Sequence, residues 1–150
     1  VLMLLQESPV DAATYYTGDT SWFGLFDPYG VPRKTYHAFR AFVRLLETPH
    51  RAACRIEDGA PLVACAGISE TPGTAQVLVS NVSSDPQTCR VRFENGPRAG
   101  TAAITAWSVD HQHDLAEVRR ETASGPTLAT EQTLPGHSVR LIRLETARRA

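Results

Sequence analysis

The chain has 150 residues, 42% hydrophobic and 21% charged, with a formal net charge of −1. This is globular composition, enough for one domain of usual size or a small domain plus a piece of another. Near-neutrality removes the electrostatic reason to expect nucleic acid or an anionic membrane as partner, and no apolar run approaches the ~20 residues of a membrane span.

In chain order, residues 1–6 (VLMLLQ) are apolar on most sides, like the buried last turn of a helix that Ser8-Pro9 closes. The run is too short for a signal peptide and has no basic flank. Opening on Val1 in mid-helix is the pattern expected of a truncated reading frame. Residues 10–17 (VDAATYYT) predict a short buried strand with Tyr15 and Tyr16 on opposite faces, and Gly18-Asp19-Thr20-Ser21 a loop. Residues 22–46 organise the rest: a loop, the turn Asp27-Pro28-Tyr29-Gly30, then a helix that starts behind Pro32. Tyr36, Phe39, Phe42, Val43 and Leu46 fall on one helical face, opposite Arg33, Arg40, Arg44 and Glu47. An isolated helix of this length is marginal in water, so the aromatic face must dock. Thr48-Pro49 ends it.

From Arg51 the texture changes to strands, predicted over residues 62–68, 74–82, 88–94, 101–110, 115–121 and 138–145, with a weaker one at 127–134. In TCRVRFE, Cys89, Val91 and Phe93 alternate with Arg90, Arg92 and Glu94, one face buried and one wet. Turns at Pro72-Gly73, Asn95-Gly96-Pro97, Gly125-Pro126 and Pro135-Gly136 separate most of the strands. The pattern predicts a mainly β fold: an antiparallel sandwich over residues 50–150. Trp107 is expected in the sandwich core. The three cysteines, Cys54, Cys65 and Cys89, are an odd number without CxxC spacing. This argues against a disulfide framework or zinc site, makes Cys65 and Cys89 core residues, and leaves the compartment open.

Chemistry is sparse. Asp11, Asp19 and Asp27 lie in or beside the first strand and loop, and Asp19, at a strand end, is the candidate with the best position; its alternative is a solvated turn aspartate. Asp110-His111-Gln112-His113-Asp114 has metal-ligand residue types but sits in a turn between strands, where polar residues belong anyway. There is no GxSxG elbow and no phosphate-cradling loop, and no cofactor is implied. Asn81-Val82-Ser83 fits a glycosylation sequon. Tyr15, Tyr16, Trp22 and Phe23 cluster near one strand end, where aromatic rings suit the apolar faces of sugars. Packing against the helix is the other reading, preferred for Tyr15.

The run YYTGDTSWFGLFDPYGVPRKTYHAFRAFVRL resembles the end of the catalytic barrel in family 39-type glycoside hydrolases, the β-xylosidase and α-L-iduronidase family. Phe23-Gly24-Leu25-Phe26, Gly30, Pro32, Arg33, Lys34, Tyr36, Ala38 and Phe39 carry the likeness. Thr105-Ala106-Trp107, Asp110-His111, Asp114-Leu115 and Leu134-Pro135-Gly136-His137-Ser138-Val139 are similar to the family's sandwich. The resemblance implies that residues 1–49 are the last strand and helix of a truncated (β/α)8 barrel, ahead of the accessory sandwich. It implies a retaining glycosidase using two glutamates about 5 to 5.5 Å apart, on strands that would lie upstream of Val1. None of Glu7, Glu47, Glu57, Glu70, Glu94, Glu117, Glu121, Glu131 or Glu145 matches their motifs, so no catalytic residue carries over and this chain alone is expected to be inactive. Trp22, with Asp19 and Tyr16, would line the sugar pocket, and the partner would be an oligosaccharide or glycoside bound by the full-length protein. The alternative is a non-catalytic carbohydrate-binding or protein-interaction sandwich, for which exposed sandwich aromatics or an exposed apolar patch would be the signature.

Overall fold

The computed structural model describes residues 1–57, 59–70, 73–94, 101–125 and 127–146. Helix α1 (Leu2–Leu5) leads through a long irregular segment to α2 (Lys34–Val43), which tightens into a 3-10 turn at Arg44–Glu47. Eight strands follow: β1 (His50–Ala52), β2 (Leu62–Ile68), β3 (Thr74–Asn81), β4 (Gln87–Phe93), β5 (Thr101–Val109), β6 (Asp114–Ser124), β7 (Leu128–Leu134) and β8 (Ser138–Thr146). Six form one antiparallel sheet in the order β1-β2-β3-β8-β5-β6, and β4 and β7 pair as a separate ribbon. The seven strands predicted after Arg51 are present with ends shifted by up to three residues, and β1 is an addition. The expected turns at Pro72, at Asn95-Gly96-Pro97 and at Pro126 lie outside the described residues.

The large sheet is apolar on both faces, and its alternation sorts side chains between two cores. Val77 and Val79 of β3, Ile104 and Ala106 of β5, and Ile142 and Leu144 of β8 face the β4–β7 ribbon, where Leu128 and Leu134 meet them. Leu78, Val109 and Leu141 point the other way, against Ala41 of α2. Central strands covered on both faces are buried along most of their length, as β3 and β8 are, whereas β4 alternates half-buried and exposed. Cys89 packs in the first core and Cys65 beside the second; burial pushes the Cys65 thiol up to about 11, and all three cysteines are free.

Three expectations are corrected. Residues 10–17 form no strand: a strand exists through its ladder, and no ladder reaches this segment. Trp107 is not in the sandwich core. Alternation along β5 puts Ile104 and Ala106 toward the ribbon and Trp107, with Val109, on the helix side, where the indole is half-buried with the Arg44 guanidinium 5.2 Å from its ring centroid. The aromatic face of α2 does dock, Tyr36 on Phe26, Phe39 on Tyr15 and Phe42 against the sheet, but its smallest neighbour makes the closest contact. Ala41, wholly buried, and His37 make that contact with Phe42 and Leu45, while Val43 and Leu46 remain 55% and 74% exposed. Ala41 wins because a small side chain lets the helix backbone approach the sheet. Charged groups then clamp the edges of the contact. Lys34 Nζ lies 2.6 Å from Asp114, and Arg143 Nη1 lies 2.5 Å from Glu47. Residues 1–6 are similarly less buried than expected, with Leu4 58% exposed.

Asn81 is 1% exposed, and the sequon it begins is structural. Its Nδ2 donates to the carbonyls of Asp85, Leu134 and Pro135 at 2.8, 3.2 and 3.0 Å, and its Oδ1 accepts from the Ser83 amide and hydroxyl. One side chain thereby ties the β3–β4 turn to the β7–β8 turn. Asn81→Ala is expected to cost about 2 kcal/mol in chemical unfolding, because it strands buried carbonyls without a donor. Expression in a glycosylating host should leave the mass of Asn81-containing peptides unchanged.

Candidate functional site

The irregular segment ahead of α2 is built onto the helix by a few contacts. The Tyr15 ring packs edge-on against Phe39 at 5.1 Å, its hydroxyl donating to the Phe23 carbonyl at 2.8 Å, and Phe26 packs against Tyr36 at 5.3 Å. Arg33 joins loop and helix. Its amide donates to the Leu25 carbonyl at 2.8 Å and its Nη1 to the Trp22 carbonyl at 3.1 Å, while its own carbonyl accepts the first bond of α2 from His37. Gly24 is buried against the Asp19 carbonyl, where any Cβ would collide, so the FGL motif needs glycine for this approach.

These constraints leave an open depression of about 490 Å³ lined by Tyr16, Thr17, Asp19, Ser21, Trp22 and Phe23. All three residues expected to contact sugar line it. Trp22 is 92% and Tyr16 88% exposed, so both rings offer bare apolar faces. Asp19 Oδ1 accepts from the Ser21 amide at 2.8 Å, and the Asp19 amide donates to Thr17 Oγ1 at 3.1 Å. The Ser21 side chain and amide, with the Thr17 hydroxyl, hold its carboxyl below the usual aspartate range. Asp19 is thus both the turn aspartate that its sequence context allows and an ionised acceptor on the rim. Chemically the depression can stack a ring and accept hydroxyl protons. Asp19 is the single carboxylate among its lining residues, so it does not hold the acid and nucleophile pair that retaining glycoside hydrolysis requires.

The Asp110–Asp114 tract is occupied differently from a metal centre. Asp110 is 5% exposed and turned inward: Ser108 Oγ donates to its Oδ2 at 2.5 Å, and the amides of Gln112 and His113 donate to its Oδ1 at 2.9 and 3.0 Å. His113 Nδ1 sits 2.8 Å from the same oxygen. Burial resists ionisation, but the Ser108 hydroxyl, the Gln112 amide and the His113 ring outweigh it and bring the carboxyl down to about 2. Among the described residues, no three His, Cys, Asp or Glu side chains are grouped to hold a metal.

Sequence reasoning missed Arg33 as the pin of the Trp22 backbone. Its signal was weak, a basic residue after the helix-starting proline. Most of the large hydrophobic side chains left exposed lie ahead of β1, among them Tyr16, Trp22, Phe23, Tyr29, Val43 and Leu46. From β1 onward the aromatics are Phe93 and Trp107, both half-buried.

No protein-family model and no curated protein matches the chain. Solved structures do match in fold. A glucosidase from Croceicoccus marinus superposes with a TM-score of 0.70 at 15% identity, over 87% of this chain and 35% of that one. A GH30 endoxylanase from Clostridium papyrosolvens C71 gives 0.67 at 15% identity, over 86% and 32%. The GH39 enzyme from Xanthomonas axonopodis pv. citri gives 0.61 at 14% identity, over 83% and 32%. The structural neighbours are therefore glycoside hydrolases of several families, and this chain spans about a third of their length.

Proposed function

We propose that the chain is the C-terminal part of a retaining glycoside hydrolase acting on O-glycosidic bonds, β-xylosidase-like and of the family 39 type. Residues 1–49 would supply the last strand and helix of an α/β barrel, with residues 10–17 becoming a strand once flanked by a neighbour, and residues 50–150 the attached sandwich. The observation that carries this reading is the extent of the fold match. At 86% of the chain it is longer than the sandwich alone could supply, so it reaches into residues 1–49. The outward face of α2, with Val43 and Leu46 uncovered, supports it: apolar side chains there suit a barrel wall. The catalytic glutamates would come from upstream sequence. Trp22 would stack on the sugar, Tyr16 would flank it, and Asp19 would accept a hydroxyl.

A carbohydrate-binding sandwich is the rival, and it needs exposed sandwich aromatics; Phe93 and Trp107 are both half-buried. A protein-interaction module needs an exposed apolar patch, and the exposed Val43 and Leu46 are the side chains that a barrel wall would cover.

The test is to clone the reading frame that extends upstream of the Val1 codon, express the longest form and assay aryl β-xylosides and β-glucosides. Hydrolysis with retention is the expected result. In that protein Trp22→Ala should raise KM about tenfold, the scale of one lost aromatic contact, with an unchanged melting temperature. Leu46→Lys should lower the melting temperature of the longer protein and not that of the 150-residue chain. An upstream frame too short to hold a catalytic pair, or an inactive long form, would overturn the enzyme reading.

A further inference from the structure

A tight turn uses its first carbonyl and its last amide for its own hydrogen bond and leaves its two middle carbonyls without a partner. Residues 21–24 form such a turn: the Gly24 amide donates to the Ser21 carbonyl at 2.9 Å, with Trp22 and Phe23 at the middle positions. Both middle carbonyls are nevertheless taken, each by a side chain from another part of the chain. Arg33 Nη1 donates to the Trp22 carbonyl at 3.1 Å, and the Tyr15 hydroxyl donates to the Phe23 carbonyl at 2.8 Å.

These two donors have little else to hold. Arg33 stands at the start of α2 with its Nε buried and unpartnered, and the Trp22 carbonyl is the acceptor that its guanidinium has among the described residues. Tyr15 rests edge-on against Phe39 of α2, while its neighbour Tyr16 lines the depression. Neither Tyr15 nor Arg33 lines the depression, and neither belongs to a core cluster. What the turn carries is Trp22 and Phe23, 92% and 71% exposed. Bare side chains have no packing to aim them, so their direction is set by the backbone beneath. A loop held before the ligand arrives avoids the ordering cost that binding otherwise meets.

Resting on the reading of the Trp22 depression as a sugar site, we propose that Tyr15 and Arg33 are positioning residues of that site. Their donors hold the carbonyls of the turn and so fix the direction of Trp22 without touching the ligand. Helix α2, on which both residues are mounted, then sets where the stacking ring stands.

The experiment uses the 150-residue chain and two readouts: amide order parameters of residues 22–24, and a titration with methyl β-D-xylopyranoside followed by amide shifts. Tyr15→Phe keeps the ring on Phe39 and removes the donor; Arg33→Met keeps the aliphatic stem and removes the guanidinium. Each should lower the order parameters from about 0.85 toward 0.6 and weaken the glycoside about fivefold, with an unchanged melting temperature. Trp22→Ala should weaken the glycoside while the turn stays ordered, since both carbonyls remain bonded. Order parameters unmoved in either variant, or a fall in its melting temperature, overturn the positioning role of that residue. A loosened turn with unchanged affinity, alongside a loss in Trp22→Ala, overturns the proposal and keeps the sugar site. Absence of binding by the wild type, or indifference to Trp22→Ala, overturns the sugar-site reading and this proposal with it.

Discussion

Ile142→Ala should lower the free energy of unfolding by about 3 to 4 kcal/mol, the largest loss expected from a single truncation in this chain. Ile142 is fully buried at the centre of β8, itself a central strand of the six-stranded sheet. It faces the β4–β7 ribbon between Val77, its ladder partner on β3, and Ala106, its partner on β5. Both flanking strands are held by ladders on two sides, so the backbone has little freedom to collapse into the space left. The cavity term therefore adds to the transfer term. Equilibrium denaturation in urea measures it, with the slope unchanged if the fold is retained. A loss under 1.5 kcal/mol would mean that the ribbon is free to settle onto the sheet. Its neighbour Leu141 points to the opposite face against α2, so Leu141→Ala should loosen the helix and leave the ribbon alone.

The second large effect concerns Asp110. Asp110→Ala should cost about 3 kcal/mol, because it removes the acceptor for the Ser108 hydroxyl, two backbone amides and His113 at once. Arg140 gains from the same charge. It is 8% exposed inside the sandwich, reaching Gln132 Oε1 at 3.2 Å and the Thr133 carbonyl at 3.0 Å, and its Nε has no partner among the described residues. Burial pulls the Arg140 pKa down, and the Asp110 charge is the first influence opposing that. The pH dependence follows in sign. With a folded-state value of about 2 against an ordinary 3.8, the folded protein binds fewer protons than the unfolded chain between those limits. The stabilisation is complete above the unfolded value and is lost as pH falls from about 4 through about 2, for a total of roughly 2 kcal/mol. Wild type and Asp110→Ala should then converge in stability toward pH 2. Curves that stay parallel across that range would show that the carboxylate charge carries none of the effect.

The two cases mark what was legible in the chain. The β4 segment TCRVRFE was readable because one of its faces is wet, and alternation is the direct print of that asymmetry. The strands of the large sheet were located by their apolar, β-branched runs between turn residues. Which core each residue enters was not readable, because β3, β5 and β8 are buried on both faces. Trp107 shows the consequence: it shares a face of β5 with Val109, and the position of α2 makes that the face where the indole meets Arg44 and not the sandwich interior. Helix α2 is the same problem in another period. Its apolar positions were identified, yet it is apolar on two sides, and the choice of Ala41 over Val43 as the contact was made by how closely the backbone can approach the sheet. The sequon at Asn81 carried no mark of burial, since two of its three acceptors, the carbonyls of Leu134 and Pro135, come from a distant part of the chain.

By itself, then, the sequence determined the elements: a helix behind Pro32, a run of antiparallel strands, and a loop holding Tyr16, Asp19 and Trp22. Local patterns, namely turn chemistry, capping prolines and hydrophobic period, are enough for that. Tertiary structure decided which faces meet, that Arg33 and Gly24 bring Tyr16, Asp19 and Trp22 around one depression, and that Asp110 turns inward. It also decided that residues 10–17 stay outside any sheet, because a strand's hydrogen bonds belong to its neighbours and no sequence pattern within the segment can supply them.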